Sequence, residues 1–490
     1  MNGRCTCAER CDGRNDRDDA AVPDAGRCPG TLDPAGGQVQ WVRRAGGAGE
    51  DRALGLSVAV DGGIFVTGFF HNTATFGAGE PGEVEIEAFG GGWRQSDAFV
   101  ARLDPDGTLA WLRRAGDESD AVGKGVSATP DGGALIVGRF VGGSMTLGTG
   151  EANETTLTGG ALYNDFVARY SGNGDLLWAR TVDGGNAGSP YYLWNDWPAI
   201  AAAPDGGAIV TGTFGGTAWF DTGDGERVRL EGHGEFNWDA YVARYDADGD
   251  LVWARRAGSD GDAGARGMAV AAAPDGGVWL GGRFEGSVTL GEGEPNETTL
   301  AGAFSLFFAR YDAEGGPLAA WQLGVGDWAL VHGLAATPGG GVAATGQWGG
   351  DLFTAVFDGG GSLSWVRRVG GPVGSHWGFG IAASPEGELY VTGRFMRELP
   401  LESVGSSDLV SAGSYDLLVA HYDGEGSLEW ARHAGGFSDE AGFAVAVAPD
   451  GGVAVAGWFT MEATFGECEE GEATLVSAGS NDIFIAKFAP

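Results

Sequence analysis

One phrase returns along this chain and limits what it can fold into. "DAFVARLDPDGTLAWLRRAG", at Asp97–Gly116, recurs as "NDFVARYSGNGDLLWARTVDG" and as "DAYVARYDADGDLVWARRAG". A short repeated unit cannot bury an apolar face alone, so its copies must pack on one another. Each copy holds four apolar segments of period-two character, bounded by Gly, Pro and Asp, which is the pattern of strands joined by turns. The first is small and Ala-rich, as in "MAVAAA". The second follows a turn such as "PDGG", as in "ALIVGRF". The third reads like "FVARY". The fourth is anchored by Trp41, Trp111, Trp178, Trp253, Trp321, Trp365 or Trp430.

Successive anchor tryptophans lie 70, 67, 75, 68, 44 and 65 residues apart. In the shortest interval only "WGGD" separates the second and third segments, so these are hairpin neighbours. The bare unit is then a four-stranded antiparallel sheet, and the other copies carry an insertion at that joint. Turns such as "DADG" are too short to cross a sheet, so the third and fourth strands form a hairpin too. The longer links after each Trp strand return the chain to the next unit. This puts the Ala-rich strand innermost, where small side chains suit strands converging on a channel, and the Trp strand outermost. The ordered chain begins with a lone Trp strand, "GQVQWVRRAG", and stops after a third-class strand, "DIFIAKFAP". The first strand is expected to complete the last sheet, which would remove an exposed edge.

These phrases, with "GVSATPDGGALIVGRF", resemble the bacterial seven-bladed β-propeller repeat family, the SBBP repeats. The resemblance covers nearly all of residues 38–490. It implies an all-β fold, a seven-bladed propeller of four-stranded antiparallel blades, in an exported or surface-associated bacterial protein. It brings no catalytic motif. The fifth copy departs from the pattern, with "TPGGG" and "FTAVF" in place of "PDGG" and "FVARY".

Of the 490 residues, 67 are acidic and 30 basic, a net charge of -37. So anionic a chain is repelled by phosphate backbones and anionic lipid, which argues against nucleic acid as a partner. No apolar run is long enough for a transmembrane helix. No secretion signal follows Met1. Residues 1–37 are expected to be a disordered, Cys-containing acidic tail. Cys5, Cys7, Cys11 and Cys28 could form disulfides or stay free, and their spacing matches no familiar zinc pattern. Such a tail fits an extracellular or cell-surface location. Cys468 has no evident partner. The closed ring is expected to be monomeric.

Repetition separates scaffold from site. Asp97, Asn164, Asp239, Ser305, Asp351, Asp416 and Asp482 share one place in the repeat and are read as turn caps. Asp246, Asp248 and Asp250 alternate as calcium ligands do. They lack the loop glycine and final glutamate of an EF-hand, and no cofactor is expected. What does not repeat is aromatic and lies in the long loops: Trp93, Tyr191, Tyr192, Trp194, Trp197, Trp238, Trp328 and Trp377, with Asp196 and His376 among them. Strand parity puts these on one face, a surface suited to a glycan or peptide. The leading expectation is a non-enzymatic binding or scaffold module. The alternative is a hydrolase or lyase at the channel mouth, using His376, Asp196 and His332. A third possibility is a purely structural display module.

Overall fold

The computed structural model describes residues 36–89, 95–160, 162–185, 198–234, 237–258, 264–324, 326, 328–370, 375–401, 408–467 and 469–490. These residues form strands and turns, with no helix among them. In the first repeat Arg52–Val58 pairs with Ile64–His71, that strand with Ser96–Leu103, and that one with Leu109–Gly116, all antiparallel. The second repeat keeps this order through Ala121–Ala128, Ala134–Val141, Tyr163–Tyr170 and Leu176–Gly185. The later ladders start at Ala199–Ala202, Ala265–Ala272, Ala329–Ala336, Trp377–Ala383 and Glu440–Val447. The last ladder is completed by Val39–Gly47, which pairs antiparallel with Ala473–Phe488; Trp41 lies opposite Lys487 and Arg44 opposite Phe484.

Each of these inner strands packs against the inner strand of the next repeat, and Glu440–Val447 packs against Arg52–Val58. The core lies between the faces of successive sheets. One cluster joins Phe65 and Val100 to Ile136 and Phe166 of the following repeat. Another joins Ile64 and Phe99 to Ala456 and Ile485, so the first and last sheets share apolar packing as the others do.

Close approach of each inner strand to the second strand of the preceding repeat explains its small residues. A Cβ at Gly123 would stand 2.1 Å from Thr67 Oγ1 of the preceding repeat, and Gly267, Gly378 and Gly442 meet Thr211, Thr345 and Thr392 at the same distance. The threonines are held in turn, since Thr67 Oγ1 donates to Phe99 O at 2.7 Å and Thr392 Oγ1 to Leu418 O at 2.8 Å. At the outer edge the anchor tryptophans latch neighbouring sheets. Trp111 Nε1 donates to Gly172 O, Trp178 to Ala247 O and Trp253 to Ala313 O, each at 2.9 Å. Gly174, at φ 87°, lies against the Trp111 ring, where any Cβ would come within 2.7 Å.

The insertions tie the sheets together. The hairpin of the second repeat pairs with the outer strand of the first, Thr146 opposite Gly116. Equivalent contacts join Ala257 to Leu290 and Ala434 to Phe465. Glu151 of one insertion meets Arg113 Nε at 2.8 Å and accepts the Leu176 N–H at 2.8 Å.

Candidate functional site

The inner strands are not regular. Their register shifts between Ala53 and Gly55, Gly123 and Gly125, Gly267 and Ala269, Val331 and Gly333, Gly378 and Gly380, and Gly442 and Ala444. Each shift is a β-bulge, a device that re-aims one side chain. The bulged residues are Leu54, Lys124, Met268, His332, Phe379 and Phe443. In the third repeat Pro198 directly precedes the inner strand. All of these line one cavity of about 570 Å³, walled by the inner strand of every repeat. Two of them carry chemistry, Lys124 and His332.

His332 is neutral at ordinary pH. Burial holds its pKa down to about 4, with the Arg394 cation adding to the effect. Its Nδ1 lies 2.9 Å from Gly378 O. A carbonyl only accepts, so Nδ1 carries the proton and Nε2 keeps its lone pair. Its ring stacks with Trp377 at 5.7 Å and stands 5.3 Å from Phe379, which stacks face to face with Phe443 at 4.5 Å. Lys124 has its pKa held well below the usual lysine value by burial, then by the nearby cations Arg139 and Arg52. Arg52 lies over the Trp458 ring at 4.4 Å and pairs with Glu50 at 2.7 Å. Arg394 lies over Tyr415 at 4.2 Å.

The residues singled out by the sequence scatter with respect to this cavity. Trp377 lines it, and its Nε1 donates to Ser375 Oγ at 2.6 Å. His376 does not line it; it is fully buried, and neither ring nitrogen has a hydrogen-bond partner among the described residues. Trp238 stands under Arg266 at 5.0 Å, and Trp328, 46% exposed, under Arg283 at 4.7 Å. Trp93, Tyr191, Tyr192, Trp194, Asp196 and Trp197 lie outside the described residues. Sequence reasoning missed Lys124, Arg52 and Arg394. The available signal was the odd residue set between small ones at one place in each inner strand, as in "GKG", "GMA" and "VHG".

The repeated acids serve the frame. Asp239 accepts the His233 N–H at 2.9 Å, Asp416 that of Ala412 at 3.0 Å and Asp482 that of Ala478 at 2.9 Å. Outer-strand cations meet them, Arg44 on Asp482 at 3.0 Å and Arg368 on Asp351 at 2.8 Å. Asp246 accepts the N–H groups of Asp248 and Asp250, each at 2.9 Å, and so caps its own hairpin turn. Among the described residues no group of three or more His, Cys, Asp and Glu side chains is placed to hold a metal ion.

No family model and no curated protein sequence matches the chain. Solved structures resemble it in fold. A streptogramin B lyase is 10% identical, with 91% of this chain and 97% of that one aligned at a TM-score of 0.41. The PQQ-bound aldose sugar dehydrogenase of Streptomyces coelicolor is 14% identical, over 92% and 97%, at 0.34. A protein of unknown function from Bacteroides caccae is 14% identical, over 44% of this chain and 61% of that one, at 0.27; the chain thus spans less than two thirds of that protein. The fold is of the β-propeller class. The expectation of a non-enzymatic binding or scaffold module is not carried further, because the cavity gathers a neutral histidine and a lysine of lowered pKa beside two arginines.

Proposed function

We propose that the chain is an enzyme, a lyase or hydrolase, acting at the mouth of the central channel of a seven-bladed propeller of four-stranded blades. The recurring ladder, the shared packing of first and last sheets and the strand at Val39–Gly47 support that blade count. One observation carries the catalytic reading. The inner-strand bulges point a neutral histidine and a depressed-pKa lysine into one water-accessible cavity, beside two arginines. Perturbed titratable groups gathered in a cleft mark a reacting site.

His332 Nε2 is the base. It takes a proton from a substrate carbon next to a carbonyl, the electron pair moves into a new carbon–carbon double bond, and the leaving group departs from the neighbouring carbon. In a hydrolase the same nitrogen takes the proton from water. Lys124, Arg52 and Arg394 face the oxygen that gains negative charge, and a low-dielectric wall strengthens that attraction. The inner-strand hydroxyls of Ser57 and Ser127 are committed elsewhere, each accepting a backbone N–H of the next repeat, from Ala128 at 3.0 Å and from Ala202 at 2.9 Å.

The test is a panel of esters, lactones and β-substituted carbonyl compounds, followed by new double-bond absorbance and by acid release. His332→Gln is expected to slow turnover by about 10²–10⁴-fold. The wild-type kcat/KM should fall as the pH drops toward about 4, where His332 takes up its proton. Full activity in H332Q, or no turnover of the panel by folded protein, refutes the reading.

A further inference from the structure

The channel contradicts the charge of the molecule. The chain carries 67 acidic and 30 basic residues. Yet no carboxylate lines the cavity among the described residues, whereas Arg52, Lys124 and Arg394 do. The balance is reversed at the one place where inner strands from every repeat converge. Cations are thus gathered at one spot in an otherwise acidic molecule.

Arg394 is the sharpest feature. Its guanidinium lies over Tyr415 at 4.2 Å, Trp377 at 5.6 Å and Phe379 at 5.7 Å. It makes no hydrogen bond or ion pair among the described residues, and its Nε is buried without an acceptor. A guanidinium presents a fork of donors matched to a carboxylate or phosphate. Leaving Nε buried and unmatched is costly unless a ligand supplies the acceptor. Burial is also the main cause of the lowered pKa of Arg394. Next to the fork stands an aromatic wall, with Trp377 stacked on Phe379 at 5.9 Å and Phe379 on Phe443 at 4.5 Å.

We propose that the channel binds a flat apolar acid, its carboxylate or phosphate on the Arg394 fork with Lys124 and Arg52 beside it, and its ring against the Phe379–Phe443 wall. This deepens the catalytic reading by naming the substrate class. It is tested by binding alone, so the two can fail separately.

The probes are 2-naphthoate, 2-naphthyl phosphate and the neutral 2-naphthamide, titrated calorimetrically into the intact chain. At least one anion is expected to bind the wild type about 10–100-fold more tightly than the amide, the worth of hydrogen bonds to a charged group. Which anion binds better tells carboxylate from phosphate recognition. Arg394→Gln should erase the preference, and Arg394→Lys should keep a reduced one. His332→Gln should retain it whether or not any turnover is found. Equal binding of anions and amide by the wild type overturns the proposal without any variant. So does an undiminished preference in folded R394Q.

Discussion

Closure of the ring can be tested at one side chain. Phe484 is fully buried on the strand that joins the two ends of the chain. It lies opposite Arg44 on the seam side and opposite Gly457 on the other. Its ring occupies the space over Gly457, where a Cβ would come within 2.9 Å, and meets Phe465 at 5.1 Å. Nothing else can fill that volume, because both neighbouring strands are fixed by ladder pairing. Phe484→Ala therefore loses the transfer free energy of the ring, about 1.5–3 kcal/mol. It also leaves a cavity, for a total of about 3–5 kcal/mol. Phe443 supplies the control. It also meets an aromatic ring, stacked on Phe379, but its own ring is only partly buried and faces the channel. Removing it widens an existing space, so Phe443→Ala should cost only about 0.5–1.5 kcal/mol, the worth of the aromatic pair. Urea midpoints read from tryptophan fluorescence compare the two, and size-exclusion chromatography follows assembly. Weakening the seam also frees a strand edge, so F484A should form concentration-dependent oligomers. A loss in F484A no larger than in F443A, with no oligomers, refutes the claim that this strand seals the ring.

Two further outcomes follow from packing and from burial. Gly282→Ala would set its Cβ 2.1 Å from Arg266 O and 2.5 Å from Phe307 Cε1, so it should destabilise by about 1–3 kcal/mol, whereas Gly143→Ala, which meets nothing within 4 Å, should leave the urea midpoint nearly unchanged; equal midpoints would contradict this account of the glycines. Burial raises the Glu440 carboxyl from 4.5 to about 8 and that of Asp51 from 3.8 to about 7. Below the lower values both folded and unfolded chains hold these protons and the stabilisation is complete. As the pH climbs, the unfolded chain ionises first, so stability is lost progressively until the folded groups ionise near 7 and 8. Urea midpoints measured across this window should fall for the wild type and fall less for Glu440→Gln; parallel curves would count against the buried proton on Glu440.

Much of the frame is legible in the residues before any coordinates. The period-two segments, the terse "WGGD" joint and the lone first Trp strand lead directly to the ladder order and to the pairing of Trp41 with Lys487. Strand alternation is a local property, and turn length limits which strands can be neighbours, so both survive in a one-dimensional reading. Asp239, Asp416 and Asp482 cap turns as their recurrence suggests, since a cap bonds within a few residues of itself.

The chemistry of the channel was not legible in that way. His332 was noticed among other histidines, and Lys124, Arg52 and Arg394 were passed over, because period two predicts an alternation that a bulge breaks. A bulge turns one residue off the pattern, and only the packed ring shows that the displaced side chains of separate repeats meet in one space. The insertions also hide their pairing from a one-dimensional reading. Their loops look like binding decoration along the chain, yet in space several of them pair with the preceding sheet. Sequence determined the four ladder strands of each repeat and the order in which they pair, because those depend on neighbours in the chain. The tertiary structure alone decided which side chains share the cavity and that no described acid lines it, because those depend on residues brought together across every repeat.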